Sequence, residues 1–190
     1  MDLKKNELVQ RVFSVLSKFD ENQSLIVLDS SARTALEAAT SLGCKVGAII
    51  KSLIFKSSDK YYLCLISGDK RASASKIKSI LDVDELSMAS ANDVKRVTGF
   101  SIGGVSPIGL KNKLNVLIDL SLERFDELFA AAGNPYCVFK INYKDLIKIT
   151  NGLPKNNYYN SKSSDLILQK WPKLKSKKIL LFVGRIAISK

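Results

Sequence analysis

The sequence contains no histidine. This absence excludes the Ser-His and Cys-His pairs that activate nucleophiles, the HExxH site of metalloproteases, and zinc sites with histidine ligands. Any chemistry that the chain performs must therefore use carboxylates, lysine, backbone amides, water or groups of the substrate itself.

Cysteine and long apolar runs are also scarce. The three cysteines, Cys44, Cys64 and Cys137, lie far apart and form no CxxC motif, so they read as small buried hydrophobes in a reducing compartment. The longest apolar stretches are about ten residues, well short of the roughly 20 that span a membrane. The first residues, MDLKKNELVQ, are polar. We therefore expect no secretory signal, no membrane association and a cytoplasmic location.

Positive charge is abundant and unevenly distributed. The formal net charge is +12, and residues 155–190, with nine Lys or Arg and one Asp, carry +8 of it. Such a balance favours a polyanionic partner, with nucleic acid first and an anionic membrane second. The basic segment is either a solvated charge run followed by a strand over 179–189 that packs on the body, or an RNA-backbone patch with a stacking tryptophan. The candidate RNA-binding residues are Lys170, Trp171, Lys173, Lys175, Lys177 and Lys178.

The hydrophobic periodicity predicts interleaved helices and strands. The expected helices are 4–18, 32–42 (capped by Ser30 or Ser31), 73–81, 91–98, 122–133 (capped by Ser121) and one from Asn142 to Asn151; the expected strands are 25–28, 46–56, 61–67, 114–120 and 136–141. Strands and helices do not alternate strictly, so the fold class is α+β, a single domain with a mixed β-sheet flanked by helices. We place this domain at residues 1–154 and a basic C-terminal extension at 155–190, with 153–165 as a linker-like segment.

Lys51 interrupts the apolar run GAIIKSLIF, residues 47–55. Lysine is almost never fully buried without a partner. Either the side chain extends to the sheet edge and has no function, or the ammonium group serves a site.

The segment GFSIGGVSPIGL, residues 99–110, has four glycines and one proline. It is not a P-loop, because no GK[ST] follows, and it lacks the GxGxxG of dinucleotide-binding proteins. Paired glycines ahead of a proline either form a tight structural loop or let a rigid backbone approach a ligand closely.

These stretches together resemble a known family. The order "IIKSLIF", "SGDKRAS", "TGFSIGGVSPIGL" and "GNPYCVFKINYKDLIKITNG" is similar to that of the YbaK/prolyl-tRNA-editing family over residues 8–152. Members are aminoacyl-tRNA deacylases, either free-standing or inserted in prolyl-tRNA synthetase. Pro135-Tyr136 and Val138 depart from the family pattern, and Val138 stands where some members carry an acidic residue.

The resemblance implies a set of site residues. Lys51 matches the essential strand lysine and Gly103 to Pro107 matches the GxxxP loop whose backbone engages the aminoacyl ester. The implied catalytic residues are Lys51, Gly103 and Gly104, and the implied substrate-binding residues are Ser52, Val105, Ser106, Pro107 and Gly133. No metal or other cofactor is expected.

The function that the resemblance implies is that of a free-standing trans-editing hydrolase. It would remove cysteine, alanine, serine or threonine from a mischarged tRNA such as tRNAPro. The expected partners are the aminoacylated 3′ end of tRNA and an aminoacyl-tRNA synthetase, and the expected state is a monomer or homodimer. The alternative is a catalytically inactive relative that uses the same cleft to bind tRNA or a synthetase.

Overall fold

The computed structural model describes residues 6–157 and the backbone of residues 181–182 and 185–186. Contacts divide the chain into two units, Met1–Tyr159 and Asn160–Lys190. In the second unit two short strands, Leu181–Phe182 and Arg185–Ile186, pair antiparallel, so the prediction of one strand over 179–189 is wrong for its described part. The six candidate RNA-binding residues between 170 and 178 lie outside the described residues.

The first unit contains five α-helices, two 3₁₀ turns and eight strands among its described residues. They follow in the order α1 (Glu7–Phe19), β1 (Leu25–Val27), α2 (Ala35–Leu42), a 3₁₀ turn (Val46–Ala48), β2 (Ile50–Ser57), β3 (Lys60–Ser67), α3 (Ala74–Leu81), β4 (Ser87–Met88), α4 (Ala91–Thr98), β5 (Asn115–Asp119), a second 3₁₀ turn (Leu120–Arg124), β6 (Leu128–Asn134), β7 (Cys137–Ile141), α5 (Tyr143–Thr150) and β8 (Leu153–Lys155).

Two sheets form the frame of this unit. The larger sheet has the order β4-β2-β3-β5-β8, with the β2–β3 hairpin and β4 antiparallel and with β5 and β8 parallel to their neighbours. The smaller sheet, β1-β7-β6, is antiparallel. A single bridge between Ile49 and Phe129 connects them. The arrangement confirms the predicted α+β fold with a mixed sheet.

Both faces of the larger sheet are covered, which explains the continuous apolar run of β3. Leu63 and Leu65 point into the main core, where α1 contributes Val9, Val12 and Leu16. Cys64 and Ile66 point to the other side, against Ile77 of α3. Because successive side chains of a strand point to opposite faces, the single apolar run of β3 contributes to two separate cores.

The helix predicted over 122–133 is wrong. The structure has a 3₁₀ turn at Leu120–Arg124 followed by β6, Leu128–Asn134, which pairs with β7. Ala130 and Ala132 favour helix intrinsically, but here they lie in a strand of the small sheet and are buried in the main core. Helix propensity is a weak preference of less than about 1 kcal/mol per residue, and tertiary packing overrides it here.

The start of α2 also differs from its prediction. Thr34, rather than Ser30 or Ser31, caps the helix. Its hydroxyl accepts from the Glu37 amide (3.2 Å), and the Glu37 carboxylate accepts from the Thr34 amide (3.1 Å). This reciprocal capping box fixes where the chain turns into the helix.

The expected linker over 153–165 is wrong for residues 153–157. β8 pairs with β5, and Asn157 is fully buried. The Asn157 amide donates to the Asp119 carboxylate (3.1 Å), and its carbonyl accepts from the Ser73 amide (3.0 Å). These bonds join segments far apart in sequence, so the polar composition of the segment gave no sign of them.

Candidate functional site

A cleft of about 380 Å³ lies where the two sheets meet. Its walls come from the segment that leads into α2, the start of β2, the glycine-rich loop and the small sheet. The lining residues are Ala32, Arg33, Thr34, Ala35, Ala38, Ile49, Ile50, Lys51, Ser52, Leu53, Ile102, Gly103, Val105, Phe129, Ala131 and Val138. The lining is mainly apolar and contains no Asp or Glu.

Lys51 lies at the edge of this cleft and is half-buried. Its Nζ donates to the carbonyl of Gly68 (3.1 Å) and to the carbonyl of Lys70. Because an ammonium group has three N–H donors, these two bonds leave one donor for a ligand. Burial lowers the pKa of Lys51, the Asp69 carboxylate opposes that effect, and the Arg71 guanidinium adds to it.

Ser52 brings a hydroxyl to the same cleft. Its Oγ is buried and has no hydrogen-bond partner among the described residues. A buried polar atom without a partner costs about 1–3 kcal/mol. A polar group of a bound ligand would remove that cost.

The glycine-rich loop meets the cleft at Gly103. This residue has φ +90°, and a Cβ there would lie 3.6 Å from Cγ of Arg33, across the mouth of the cleft. Gly104 is instead buried against the β6–β7 hairpin, where a Cβ would come within 3.3 Å of the Gly133 carbonyl. Val105 is buried and lines the cleft.

Three of the predicted substrate-binding residues do not line the cleft. Ser106 and Pro107 are buried, and Ser106 Oγ accepts from the Ile108 amide (3.3 Å). Gly133 has φ +85°, and a Cβ there would lie 2.9 Å from the Phe100 ring. These residues are buried away from the cleft, so the structure brings together Lys51, Ser52, Gly103 and Val105 at the cleft and places the others as support.

The sequence reasoning missed most of the apolar lining. Phe129, Ala131 and Val138 come from the small sheet, where Ala131 lies opposite Val138 in the register of β6 and β7. Val138 departs from the family pattern. The other two fell in a segment predicted as helix, and only the pairing of β6 could have revealed which of its residues face the cleft.

Two further properties concern the described part of the chain. No group of three or more Cys, Asp or Glu residues comes together there in a way that could hold a metal ion. No helix within it has the length and apolar character required to cross a membrane.

Comparison with known proteins finds the same architecture and related sequences. A crystal structure described as a candidate trans-editing enzyme for prolyl-tRNA synthetase superposes with a TM-score of 0.77 at 32% identity, covering 82% of this chain and 99% of that one. The uncharacterized protein YwhH of Bacillus subtilis is 30% identical over 131 residues, covering 68% of this chain and 83% of YwhH. The proline–tRNA ligase of Caldicellulosiruptor bescii is 28% identical over 171 residues, or 90% of this chain, but the chain spans only 28% of the length of that ligase.

The family profile of the aminoacyl-tRNA editing domain matches residues 29–149. That span begins before α2 and ends within α5, so it includes every wall of the cleft. The chain belongs to the aminoacyl-tRNA editing domain family.

Proposed function

We propose that this protein is a free-standing trans-editing deacylase that hydrolyses the ester bond between a wrongly attached amino acid and the 3′ ribose of a tRNA. The observation that carries the proposal is the meeting of Lys51 and Gly103 at one mainly apolar cleft. The similar crystal structure described as a candidate trans-editing enzyme supports it, since this chain covers 99% of that one.

The chemistry follows from the groups at hand. Water adds to the ester carbonyl, the bond from the carbonyl carbon to the ribose oxygen breaks, and the ribose oxygen takes up a proton. The remaining N–H of the Lys51 ammonium and the backbone near Gly103 stabilise the negative charge that develops on the ester oxygen. The cleft offers no carboxylate as a general base, so a group of the substrate itself orients or deprotonates the water.

The apolar floor suits a small amino-acid side chain. Phe129, Ala131 and Val138 line a cleft of only about 380 Å³, and we propose alanine, cysteine, serine or threonine as the removed residue. One methyl or hydroxyl group changes binding in such a pocket by only about 1–3 kcal/mol. We therefore propose selection by size, with the Ser52 hydroxyl as a polar contact to the aminoacyl group.

A second candidate function is that of an inactive tRNA- or synthetase-binding module. It is favoured by one observation: two of the three Lys51 donors are already engaged by the carbonyls of Gly68 and Lys70. A lysine with two donors engaged in this way could serve only to hold the turn after β3 in place.

Deacylation of a panel of mischarged tRNAs separates the two candidates. We expect the wild-type protein to hydrolyse at least one of the alanyl, cysteinyl, seryl or threonyl esters, and Lys51→Met to lose at least about 100-fold of that rate. The melting temperature of Lys51→Met should stay within a few degrees, because the released carbonyls of Gly68 and Lys70 are in partly exposed residues and can bind water.

Lys56→Met is the matched control. Lys56 is equally half-buried on β2, but its ammonium lies 5.8 Å from the centre of the Tyr61 ring and it does not line the cleft. This variant should keep wild-type activity. A wild-type protein that binds these tRNAs and hydrolyses none of them would establish the binding module instead.

A further inference from the structure

The turn that follows β3, residues 67–71, is fixed by an ion pair. Arg124 Nη2 donates to both carboxylate oxygens of Asp69, at 2.9 and 3.1 Å, and also lies 3.1 Å from the hydroxyl of Ser67. Arg124 Nε donates to the Ser121 carbonyl (2.6 Å). The guanidinium thus connects the turn to the 3₁₀ turn after β5.

The same turn is confined on its other side. Ser67 Oγ lies 2.6 Å from both the Gly47 carbonyl and the Asp69 carboxylate. At Gly68 a Cβ would come within 2.1 Å of the Val46 carbonyl, so the two backbone segments touch there. Asp69 is therefore held between the 3₁₀ turn before β2 and the 3₁₀ turn after β5.

This turn supplies the acceptors of Lys51. Its Nζ donates to the carbonyls of Gly68 and Lys70, the residues directly before and after Asp69. A displacement of the Asp69 backbone would therefore move both carbonyls. The ammonium position depends on an ion pair that does not line the cleft.

We propose that Asp69 and Arg124 are positioning residues for Lys51: their ion pair fixes the two carbonyls that hold its ammonium group at the edge of the cleft. The expected effect of the ion pair on the deacylation rate rests on the proposed function. The expected effect of the ion pair on the position of Lys51 does not depend on that function. The pair is partly exposed, with side-chain exposures of 43% for Arg124 and 35% for Asp69, and such pairs add little to stability.

The test uses Asp69→Asn, which keeps size and removes charge, and Arg124→Lys, which keeps charge but removes the planar group that binds Asp69 through Nη2 and the Ser121 carbonyl through Nε. Asp93→Asn is the control, because Asp93 forms another exposed pair, with Arg96 at 2.5 Å on α4. We measure kcat and KM for the best mischarged tRNA. We also measure the rate at which Lys51 is acetylated by acetic anhydride, read by mass spectrometry of its peptide.

We expect kcat to fall about tenfold in both variants with KM almost unchanged, since misplacing a reacting group affects the chemical step. Lys51 of Asp69→Asn should be acetylated faster and at lower pH. In the wild type the Asp69 carboxylate raises the pKa of Lys51, whereas burial and Arg71 lower it. Removal of the carboxylate therefore lowers the pKa of Lys51 and leaves more of the amine neutral. Asp93→Asn should match the wild type in all three measurements.

Unchanged kcat, or unchanged acetylation of Lys51, in both Asp69→Asn and Arg124→Lys overturns the inference. If Asp69→Asn does not fold, Arg124→Lys alone decides. If the wild-type protein deacylates nothing, the proposed function fails, and the acetylation of Lys51 in Arg124→Lys, which keeps the Asp69 carboxylate, then decides separately whether the ion pair positions Lys51.

Discussion

At the scale of single residues, Lys51 shows how a cation is accommodated in an apolar strand. Its stem runs on the same face of the sheet as Leu53 and Phe55, as alternation along a strand requires. Its ammonium reaches the backbone carbonyls of the turn beyond β3. The Lys51 side chain can therefore extend to the sheet edge and still take part in a site, although the sequence alone presented these two possibilities as alternatives.

Asp93 gives a residue-scale prediction about pH. The Arg96 guanidinium, followed by the hydroxyls of Tyr61 and Ser90, lowers the pKa of Asp93 from 3.8 to about 2. A carboxyl whose pKa is lower in the folded state contributes stability above the unfolded value and loses it as pH falls through the folded value. We expect this contribution to be complete above pH 4 and to disappear towards pH 2.

Carboxyl chemical shifts followed by NMR through an acid titration check this prediction. Arg96→Met removes the largest cause, so the midpoint of Asp93 should move back towards 3.8. A midpoint that stays near 2 in Arg96→Met would show that the pair with Arg96 does not set the pKa of Asp93.

At the scale of elements, one part of the glycine-rich loop lines the cleft and another part is buried in the core. Gly103 is partly exposed at the cleft, whereas Gly104, Ser106 and Pro107 are buried behind it. The buried part anchors the loop, so the backbone at Gly103 is held in place before a ligand arrives. Such rigidity suits a group that must meet developing charge without reorganising.

Gly103→Ala tests this division at the element scale. Its φ of +90° is unfavourable for any L-residue, and we expect a stability loss of about 1 kcal/mol together with a loss of at least tenfold in deacylation. Gly43→Ala is the control, since Gly43 has φ +62° at the far end of α2 with nothing within 4 Å of a Cβ. It should lose similar stability, measured by urea unfolding, and keep its activity. Equal activity in both variants would leave Gly103 a purely structural residue.

At the scale of the whole molecule, most of the net charge lies outside the residues that the editing domain profile matches. Residues 160–190 carry eight Lys or Arg and one Asp, so their removal lowers the formal net charge from +12 to +5. The editing domain profile ends before them, at residue 149. This separation favours a tail that adds tRNA affinity without taking part in the reaction.

Truncation before residue 160 tests that role. We expect tRNA binding to weaken and its dependence on salt concentration to become less steep, because fewer counterions are released. The rate at saturating substrate should change little. Binding measured from 50 to 200 mM salt checks this, and an unchanged slope would exclude the tail as an RNA patch.

A shorter chain provides the contrasting case. Truncation before residue 156 also removes Asn157, whose amide binds the buried carboxylate of Asp119. Asp119 keeps its bond from the Ser121 amide (2.8 Å), but the loss of one partner of a buried carboxylate is costly, so this variant should lose stability in addition to tRNA affinity.

The sequence by itself determined the fold class, most of the elements and the two stretches that meet at the cleft. Apolar periodicity located β2, β3 and α4. Lys51 and the glycine-rich loop stand out locally, as a cation in an apolar run and as paired glycines ahead of a proline, but only the family resemblance joined them into one predicted site. Local departures of this kind are visible without knowledge of the fold.

Only the tertiary structure decided which residues serve the cleft and which support it. β6 is a strand because β7 lies beside it, although its alanines favour helix, and its pairing brings Ala131 and Val138 to the cleft. Asp69 and Arg124 are 55 residues apart in sequence and meet only in the folded chain. Sequence records local preference, whereas a site made from four distant segments depends on contacts that exist only after the segments pack.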